Sequence, residues 1–145
     1  MLRIKIALAC DHAGYLHKNK TKEYLENKGY TINDYGCFSE ESVDYPDFAH
    51  QLAESIKKEN SDLGIQFCGT GNGINMSANK HSQIRAALCW NPHIAEQARL
   101  HNNANVLTMP ARHLEWNEVK EIIDVFLSSE FEGGRHQRRV NKISI

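Results

Sequence analysis

The sequence of 145 residues has almost no net charge and no long apolar run. Its 17 lysines and arginines nearly balance its 18 aspartates and glutamates, which leaves a net charge of −1 and a pI of about 6.7. Binding to nucleic acid or to an acidic membrane surface needs a strong basic excess, so this balance argues against both partners. No segment approaches the ~18 apolar residues of a membrane span. Because the chain has no basic excess, any anion that it binds is expected to be small.

A secretory leader and paired cysteines are also missing. Charges at Arg3 and Lys5 interrupt the apolar N-terminus, which is not typical of a signal peptide, so we expect a cytoplasmic protein. The cysteines lie far apart without a C-x-x-C pair, which argues against a zinc ribbon or a redox dithiol. In a reducing cytosol they should be free thiols, at positions Cys10, Cys37, Cys68 and Cys89.

The glycine patterns that bind nucleotides are absent as well. Asp11-His12-Ala13-Gly14 follows the first predicted strand in place of a G-x-G-x-x-G motif, which disfavours dinucleotide binding. The sequence also lacks the G-K-[ST] ending of a P-loop, which argues against nucleotide hydrolysis.

What the sequence does contain is five successive strand and helix patterns. Apolar or β-prone runs predict strands at 3–10, 30–35, 63–67, 84–89 and 105–109. Helical patterns follow, with Gly29 as a stop signal, Pro46 and Pro92 as start signals, and an apolar stripe over 119–127. These units predict an α/β fold, a Rossmann-like three-layer αβα sandwich around a five-stranded parallel sheet. We expect residues 1–145 to form a single domain with a C-terminal helical tail.

A glycine-rich loop, Cys68-Gly69-Thr70-Gly71-Asn72-Gly73, lies between the third predicted strand and its helix. Its glycines permit positive φ values, and the turn can point backbone N–H groups at an anion. The local field of these donors favours the thiolate form of Cys68. A thiolate there can act as a nucleophile or as a general base, so we expect chemistry at this loop.

Polar residues follow several of the predicted strands. The carboxyl ends of parallel strands meet at one edge of a sheet, so we expect Asp11, His12, the Cys68 loop and Arg112 to collect there. In the tail, Arg135 and Arg139 share a helix face and can make charge-assisted contacts to one phosphate.

Seven motifs together resemble the type B ribose-5-phosphate isomerases and their galactose-6-phosphate isomerase relatives. The resemblance runs over nearly the whole chain, with the motifs in the same order and at compatible spacings. The motifs are Asp11-His12-Ala13-Gly14, Asp44-Tyr45-Pro46, Cys68 to Gly73, Ala78-Asn79-Lys80, His101-Asn102, Asn105-Val106-Leu107 and Gly133-Gly134-Arg135-His136-Gln137 with Arg139.

The resemblance implies an aldose–ketose isomerase of the pentose phosphate pathway that uses no metal and no organic cofactor. It would interconvert ribose 5-phosphate and ribulose 5-phosphate through an enediolate, with Cys68 as the base that moves a proton between C1 and C2. Some relatives lack this cysteine and use a glutamate just after the loop, where this chain has Ile74.

The other implied roles divide between catalysis and binding. Thr70 would support the thiol or a sugar hydroxyl, and His101 would assist opening of the furanose ring. Further residues would bind the intermediate through their amides (Gly69, Gly71, Asn72, Gly73), the sugar (Asp11, Tyr45, Asn102) or the phosphate (His12, Arg112, Arg135, Arg139).

The resemblance also implies a homodimer or homotetramer with active sites shared between subunits. We hypothesise that His101, Asn102 and Arg112 are contributed across the dimer.

Three alternatives stay open at this point. The first is a hexose 6-phosphate isomerase for allose or galactose, because the sequence does not size the pocket formed by loops such as 36–43. The second is a non-catalytic phosphosugar-binding module. The third is a thiol enzyme that forms a covalent adduct at Cys68.

Overall fold

The computed structural model describes residues 3–145. These residues form one parallel sheet in the order β2-β1-β3-β5-β4, from β1 (Lys5–Cys10), β2 (Thr31–Asp34), β3 (Leu63–Cys68), β4 (Ala86–Leu88) and β5 (Val106–Pro110). The helices are α1 (Tyr15–Asn27), α2 (Tyr45–Lys57), α3 (Asn72–Ala78), α4 (Pro92–Asn102), α5 (Trp116–Ser128) and α6 (Arg135–Asn141). Across residues 3–145 no helix is both long enough and apolar enough to cross a membrane.

Helices cover both faces of the sheet, as the side chains of β1 illustrate. Successive side chains of a strand point to opposite faces. Ile6 and Leu8 join the core cluster that includes residues of α1, α4 and α5. Ala7 and Ala9 instead pack with residues of α2 and α3. The predicted three-layer α/β sandwich is therefore confirmed.

Strand β4 is shorter than predicted, covering Ala86–Leu88 instead of 84–89. The side chain of Asn105 accepts a hydrogen bond from the backbone N–H of Arg85 at 2.8 Å. Its amide nitrogen donates to the carbonyl of Gln83 at 2.8 Å. The Asn105 side chain thus takes backbone partners that a longer strand would use in its ladder, and β4 begins two residues later than predicted.

The order of the strands places the switch point of the sheet between β1 and β3. The chain moves from β1 to β2 on one side and then crosses to β3 on the other. Ligands of open α/β sheets bind in the crevice outside the carboxyl ends of the strands at such a point. Asp11 follows β1 and Cys68 ends β3, so both lie at this crevice.

A buried ion pair joins α1 to β2 on the way to the crevice. The Lys18 side chain is fully buried, and its Nζ donates to both carboxylate oxygens of Asp34 at 2.7 and 2.8 Å. Asp34 Oδ1 also accepts the backbone N–H of Gly36 at 2.9 Å. The pair therefore fixes the start of the loop that leads to α2.

We predict that Asp34→Ala lowers the free energy of unfolding by about 3 to 5 kcal/mol, because it leaves the Lys18 charge buried without a partner. Urea unfolding at one fixed protein concentration measures the loss. The control is Asp62→Ala, which removes a carboxylate that accepts the exposed backbone N–H of Lys5 at 2.8 Å. It should cost about 1 kcal/mol. Equal losses in the two variants would contradict the role given to the buried pair.

Candidate active site

Two glycines give the loop after β3 its shape. Gly71 has φ of +81° and is the N-cap of α3, a conformation that side chains rarely adopt. A Cβ at Gly71 would also overlap Leu88 Cδ1, and a Cβ at Gly73 would overlap the ring of Tyr45. The Tyr45 ring therefore lies directly on the first turn of α3.

Backbone donors and side chains of the loop face the crevice. The first turn of a helix leaves its N–H groups without intrahelical acceptors, which for α3 includes Gly73 and Ile74. The N–H of Asn72 donates to Thr70 Oγ1 at 3.3 Å, and the Thr70 side chain is exposed. Cys68 is only 5 % exposed and packs against Ala49 and Ile74. The thiol thus lies at the floor of a loop with free backbone donors.

Backbone hydrogen bonds tie the neighbouring strand ends to this loop. The N–H of Asp11 donates to Phe67 O at 3.2 Å, one residue before Cys68. The N–H of Arg112 donates to Gly69 O at 3.1 Å, and the Arg112 guanidinium lies against Gly69. Polar groups from three strand ends therefore meet here, as the sequence predicted.

Asp11 and His12 each accept a hydrogen bond from a backbone N–H group. The Asp11 carboxylate accepts the N–H of Ala13 at 2.9 Å and caps the one-turn helix His12–Gly14. His12 Nδ1 accepts the N–H of Val43 at 3.2 Å, which joins β1 to the loop before α2. We call this set the Cys68 edge: Asp11, His12, Tyr45, Cys68 to Gly73, and Arg112.

A buried polar network lies under the loop, and sequence reasoning missed it. Gln66 is fully buried, and its Nε2 donates to Ile74 O at 3.1 Å and to Thr108 Oγ1 at 2.9 Å. Thr108 Oγ1 in turn donates to Asn75 Oδ1 at 2.7 Å. The network fixes α3 against β3 and β5. A polar glutamine inside an apolar strand was the signal that pointed to it.

A second group of predicted site residues lies elsewhere on the molecule. Helix α4 runs back along the sheet and ends at Asn102, just before β5 begins at Val106. Cys68 pairs with Pro110 at the other end of β5. The intervening strand spans about 13 Å at ~3.3 Å per residue. His101 and Asn102 therefore lie at the amino edge of the sheet, away from Cys68 of the same chain.

The C-terminal tail packs on the end of α4. The rings of His101 and His136 stack with centroids 4.2 Å apart and planes 12° from parallel. Helix α6 begins at Arg135, and its helical geometry brings Arg139 to the same face as Arg135. We call this second set the His101 edge: His101, Asn102, Glu132, Arg135, His136 and Arg139.

The predicted site residues thus fall into two groups, and one expectation was wrong. We expected Arg112 to act across a dimer together with His101 and Asn102, but Arg112 contacts Gly69 of its own chain. Arg112 follows β5, so the topology places it at the Cys68 edge. The four residues assigned to phosphate are split in the same way, with Arg135 and Arg139 at the opposite edge from His12 and Arg112.

The His101 edge also holds a group of potential metal ligands. One ligand atom from each of His101, Glu132 and His136 lies within 4.8 Å of the others. The lone pairs of imidazole nitrogens lie in the ring plane, so rings stacked 12° from parallel with centroids 4.2 Å apart hold them in two separate, nearly parallel planes. The two rings as placed therefore do not converge on one ion.

The cysteines outside the loop behave as buried apolar residues. All four cysteines are free thiols. Burial raises the pKa of Cys89 to about 12. Burial, followed by the neighbouring Cys37 thiol, raises the pKa of Cys10 still further. Both groups stay neutral at neutral pH, whereas Cys68 is the cysteine that lies against free backbone donors.

The fold and the site together define a Rossmann-like α/β protein with a thiol-bearing anion loop at the switch point of its sheet. The sequence profile of the Ribose/Galactose Isomerase family matches residues 6–143. The chain belongs to this family.

Individual relatives agree closely with the chain. Ribose-5-phosphate isomerase B of Escherichia coli is 41% identical over 140 residues, covering 97% of this chain and 94% of its own. A ribose 5-phosphate isomerase structure from Thermotoga maritima has a TM-score of 0.96 at 49% identity, covering 98% of both chains. Ribose-5-phosphate isomerase B from Mycoplasma genitalium with bound ribulose 5-phosphate has a TM-score of 0.94 at 43% identity, covering 99% of this chain and 95% of its own.

Proposed function

We propose that the protein is an aldose–ketose isomerase that interconverts ribose 5-phosphate and ribulose 5-phosphate. The observation that carries this proposal is the convergence of Cys68, Asp11 and Arg112 at the switch point, fixed by backbone hydrogen bonds to Phe67 and Gly69. The Escherichia coli relative named as a ribose-5-phosphate isomerase and the ribulose 5-phosphate bound in the Mycoplasma genitalium structure support it.

The Cys68 edge supplies the proton transfer. The Cys68 thiolate removes the proton from C2 of the open-chain aldose, and the electrons move onto the C1 oxygen to give an enediolate. Backbone N–H groups of the loop hold the resulting negative charge. After the O2 proton moves to O1, the Cys68 thiol returns its proton to C1 and leaves the ketose. Thr70 supports the thiol or a hydroxyl, Asp11 binds a hydroxyl and Tyr45 lines the sugar pocket.

The His101 edge supplies ring opening and part of the phosphate site, in our proposal from a second subunit. His101, Asn102 and the two tail arginines are separated from Cys68 of their own chain by about 13 Å of sheet. A two-fold dimer joins complementary surfaces reciprocally, so each Cys68 edge can face a partner's His101 edge. We therefore propose a homodimer, alone or within a homotetramer, with two shared active sites.

Relative turnover of sugar phosphates tests the proposed substrate. We expect kcat/KM for ribose 5-phosphate to exceed the values for allose 6-phosphate and galactose 6-phosphate by at least about 10-fold. The hexose phosphates carry one more carbon, and one extra methylene-sized group in a closed pocket is worth ~1 to 3 kcal/mol. A preference for either hexose would overturn the pentose assignment. Binding of ribose 5-phosphate without turnover would overturn the proposal that the protein is an isomerase of this sugar.

The same assay in D₂O separates proton shuttling from covalent catalysis. Deuterium at C1 or C2 of the recovered sugar supports Cys68 as a base. A stable sugar adduct on Cys68, detected by mass spectrometry during turnover, would contradict that role.

A further inference from the structure

The segment between α5 and α6 brings an acidic side chain to His101. The backbone N–H of Glu132 donates to Leu100 O at 3.0 Å, so the segment is anchored one residue before His101. Glu132 Oε1 lies 3.6 Å from His101 Nε2. With Nε2 beside the carboxylate, Nδ1 is the ring nitrogen left to meet a substrate.

The ring of His136 forms the floor on which the His101 ring lies. His136 is only 8 % exposed, and its ring stacks on His101 at 4.2 Å. Burial, followed by the proximity of His101 and Arg135, lowers the pKa of His136. A neutral aromatic surface thus restricts the plane of the His101 ring, and the Glu132 carboxylate lies at ion-pair distance from one of its nitrogens.

We propose that Glu132 and His136 are positioning residues that hold His101 for the opening of the sugar ring. This inference rests on the proposed function. Glu132 keeps the proton of neutral His101 on Nε2, so that Nδ1 is free to accept one, as the carboxylate of a catalytic triad does for its histidine.

In the ring-opening step, His101 moves the proton. Nδ1 accepts the proton of the C1 hydroxyl, the C1–O1 bond becomes a carbonyl, and the bond between C1 and the ring oxygen O4 breaks. O4 leaves with the electron pair and takes the same proton back from Nδ1. Between these two transfers the Glu132 carboxylate balances the positive charge on the ring.

Two substrates of the same reaction separate this role from a general effect on the site. Ribose 5-phosphate is largely a furanose and must be opened. Ribulose 5-phosphate is linear, because its C2 carbonyl can close a furanose only through O5, which carries the phosphate. A residue that positions His101 for ring opening should matter for turnover of the first and not for binding of the second.

The experiment compares Glu132→Gln with the unaltered protein. We expect kcat/KM for ribose 5-phosphate to fall about 10- to 100-fold, which is up to the lower limit of the range for loss of a general acid–base group itself. Calorimetry in a Cys68→Ala background, where the sugar is not turned over, should give a Kd for ribulose 5-phosphate within about threefold with and without Glu132→Gln. His136→Ala should show the same split, and Glu132→Asp should recover part of the lost turnover.

The control is Glu130→Gln, which removes an exposed carboxylate from the same segment and should leave both measurements unchanged. Unchanged turnover in Glu132→Gln would overturn the inference, and so would an equal loss of ribulose 5-phosphate binding, which indicates damage to the phosphate site. If the unaltered protein does not isomerise ribose 5-phosphate, the proposed function itself fails, which is a distinguishable result.

Discussion

Cys68→Ala should lower kcat for ribose 5-phosphate by about 10²- to 10⁴-fold, the usual contribution of a general acid–base group. The thiol is the group at the loop that can both take a proton from one carbon and return it to the next. The loop donors, Arg112 and Asp11 remain in place, so binding of ribulose 5-phosphate should change little. Steady-state kinetics and calorimetry measure the two effects separately.

The matched control is Cys89→Ala. Cys89 is a buried thiol that directly follows β4, and burial raises its pKa to about 12. Its removal should leave kcat within about twofold. Comparable activity in Cys68→Ala and Cys89→Ala would refute the assignment of the base, and loss of binding in Cys68→Ala would show that the thiol acts in affinity instead.

Mixing two inactive variants should restore activity when their defects lie at different edges. In a dimer of Cys68→Ala with His101→Ala subunits, one site has both defects and the other has none. Random pairing makes half of the dimers mixed, so about a quarter of the original sites return. Co-expression of the two variants with different tags, followed by a turnover assay, measures the recovery.

Two control pairs make this result specific. Cys68→Ala with Asp11→Asn combines two defects at the Cys68 edge, so each site of a mixed dimer stays defective and mixing restores nothing. Cys68→Ala with Arg112→Ala should behave in the same way, since Arg112 contacts Gly69 of its own chain. Recovery of activity in the mixture of Cys68→Ala with Arg112→Ala would contradict the proposed pairing of each Cys68 edge with the partner's His101 edge. No recovery in the mixture of Cys68→Ala with His101→Ala would contradict it too.

Local sequence patterns were enough to predict the sheet and the Cys68 loop. The strand at Leu63–Cys68, the glycine turn and the start of α3 at Asn72 are contiguous in sequence, so their order alone positions them. The family resemblance rests on motifs spread along nearly the whole chain, and the profile of the Ribose/Galactose Isomerase family, which matches residues 6–143, confirmed it. The roles assigned to individual site residues stay predictions.

What the sequence did not predict depends on contacts between distant residues. The Lys18–Asp34 pair and the approach of Glu132 to His101 each join segments whose pairing has no local signal. Gln66 stands out as a polar residue in an apolar strand, but nothing local identifies Thr108 as its partner. The separation of the predicted site residues into two edges could have been predicted from the sequence. A helix that follows a parallel strand returns to the amino edge, so the length of α4 already implied that His101 lies away from Cys68.

The placement of the two edges on opposite ends of the sheet also determines how much activity survives when normal and variant chains form the proposed dimer together. When normal and variant chains are made in equal amounts, a chain defective at one edge leaves one working site in every mixed dimer, and about half of the total activity survives. A chain defective at both edges inactivates both sites of its normal partner, and only about a quarter survives. Two recessive lesions therefore become a dominant one when they occur in the same chain.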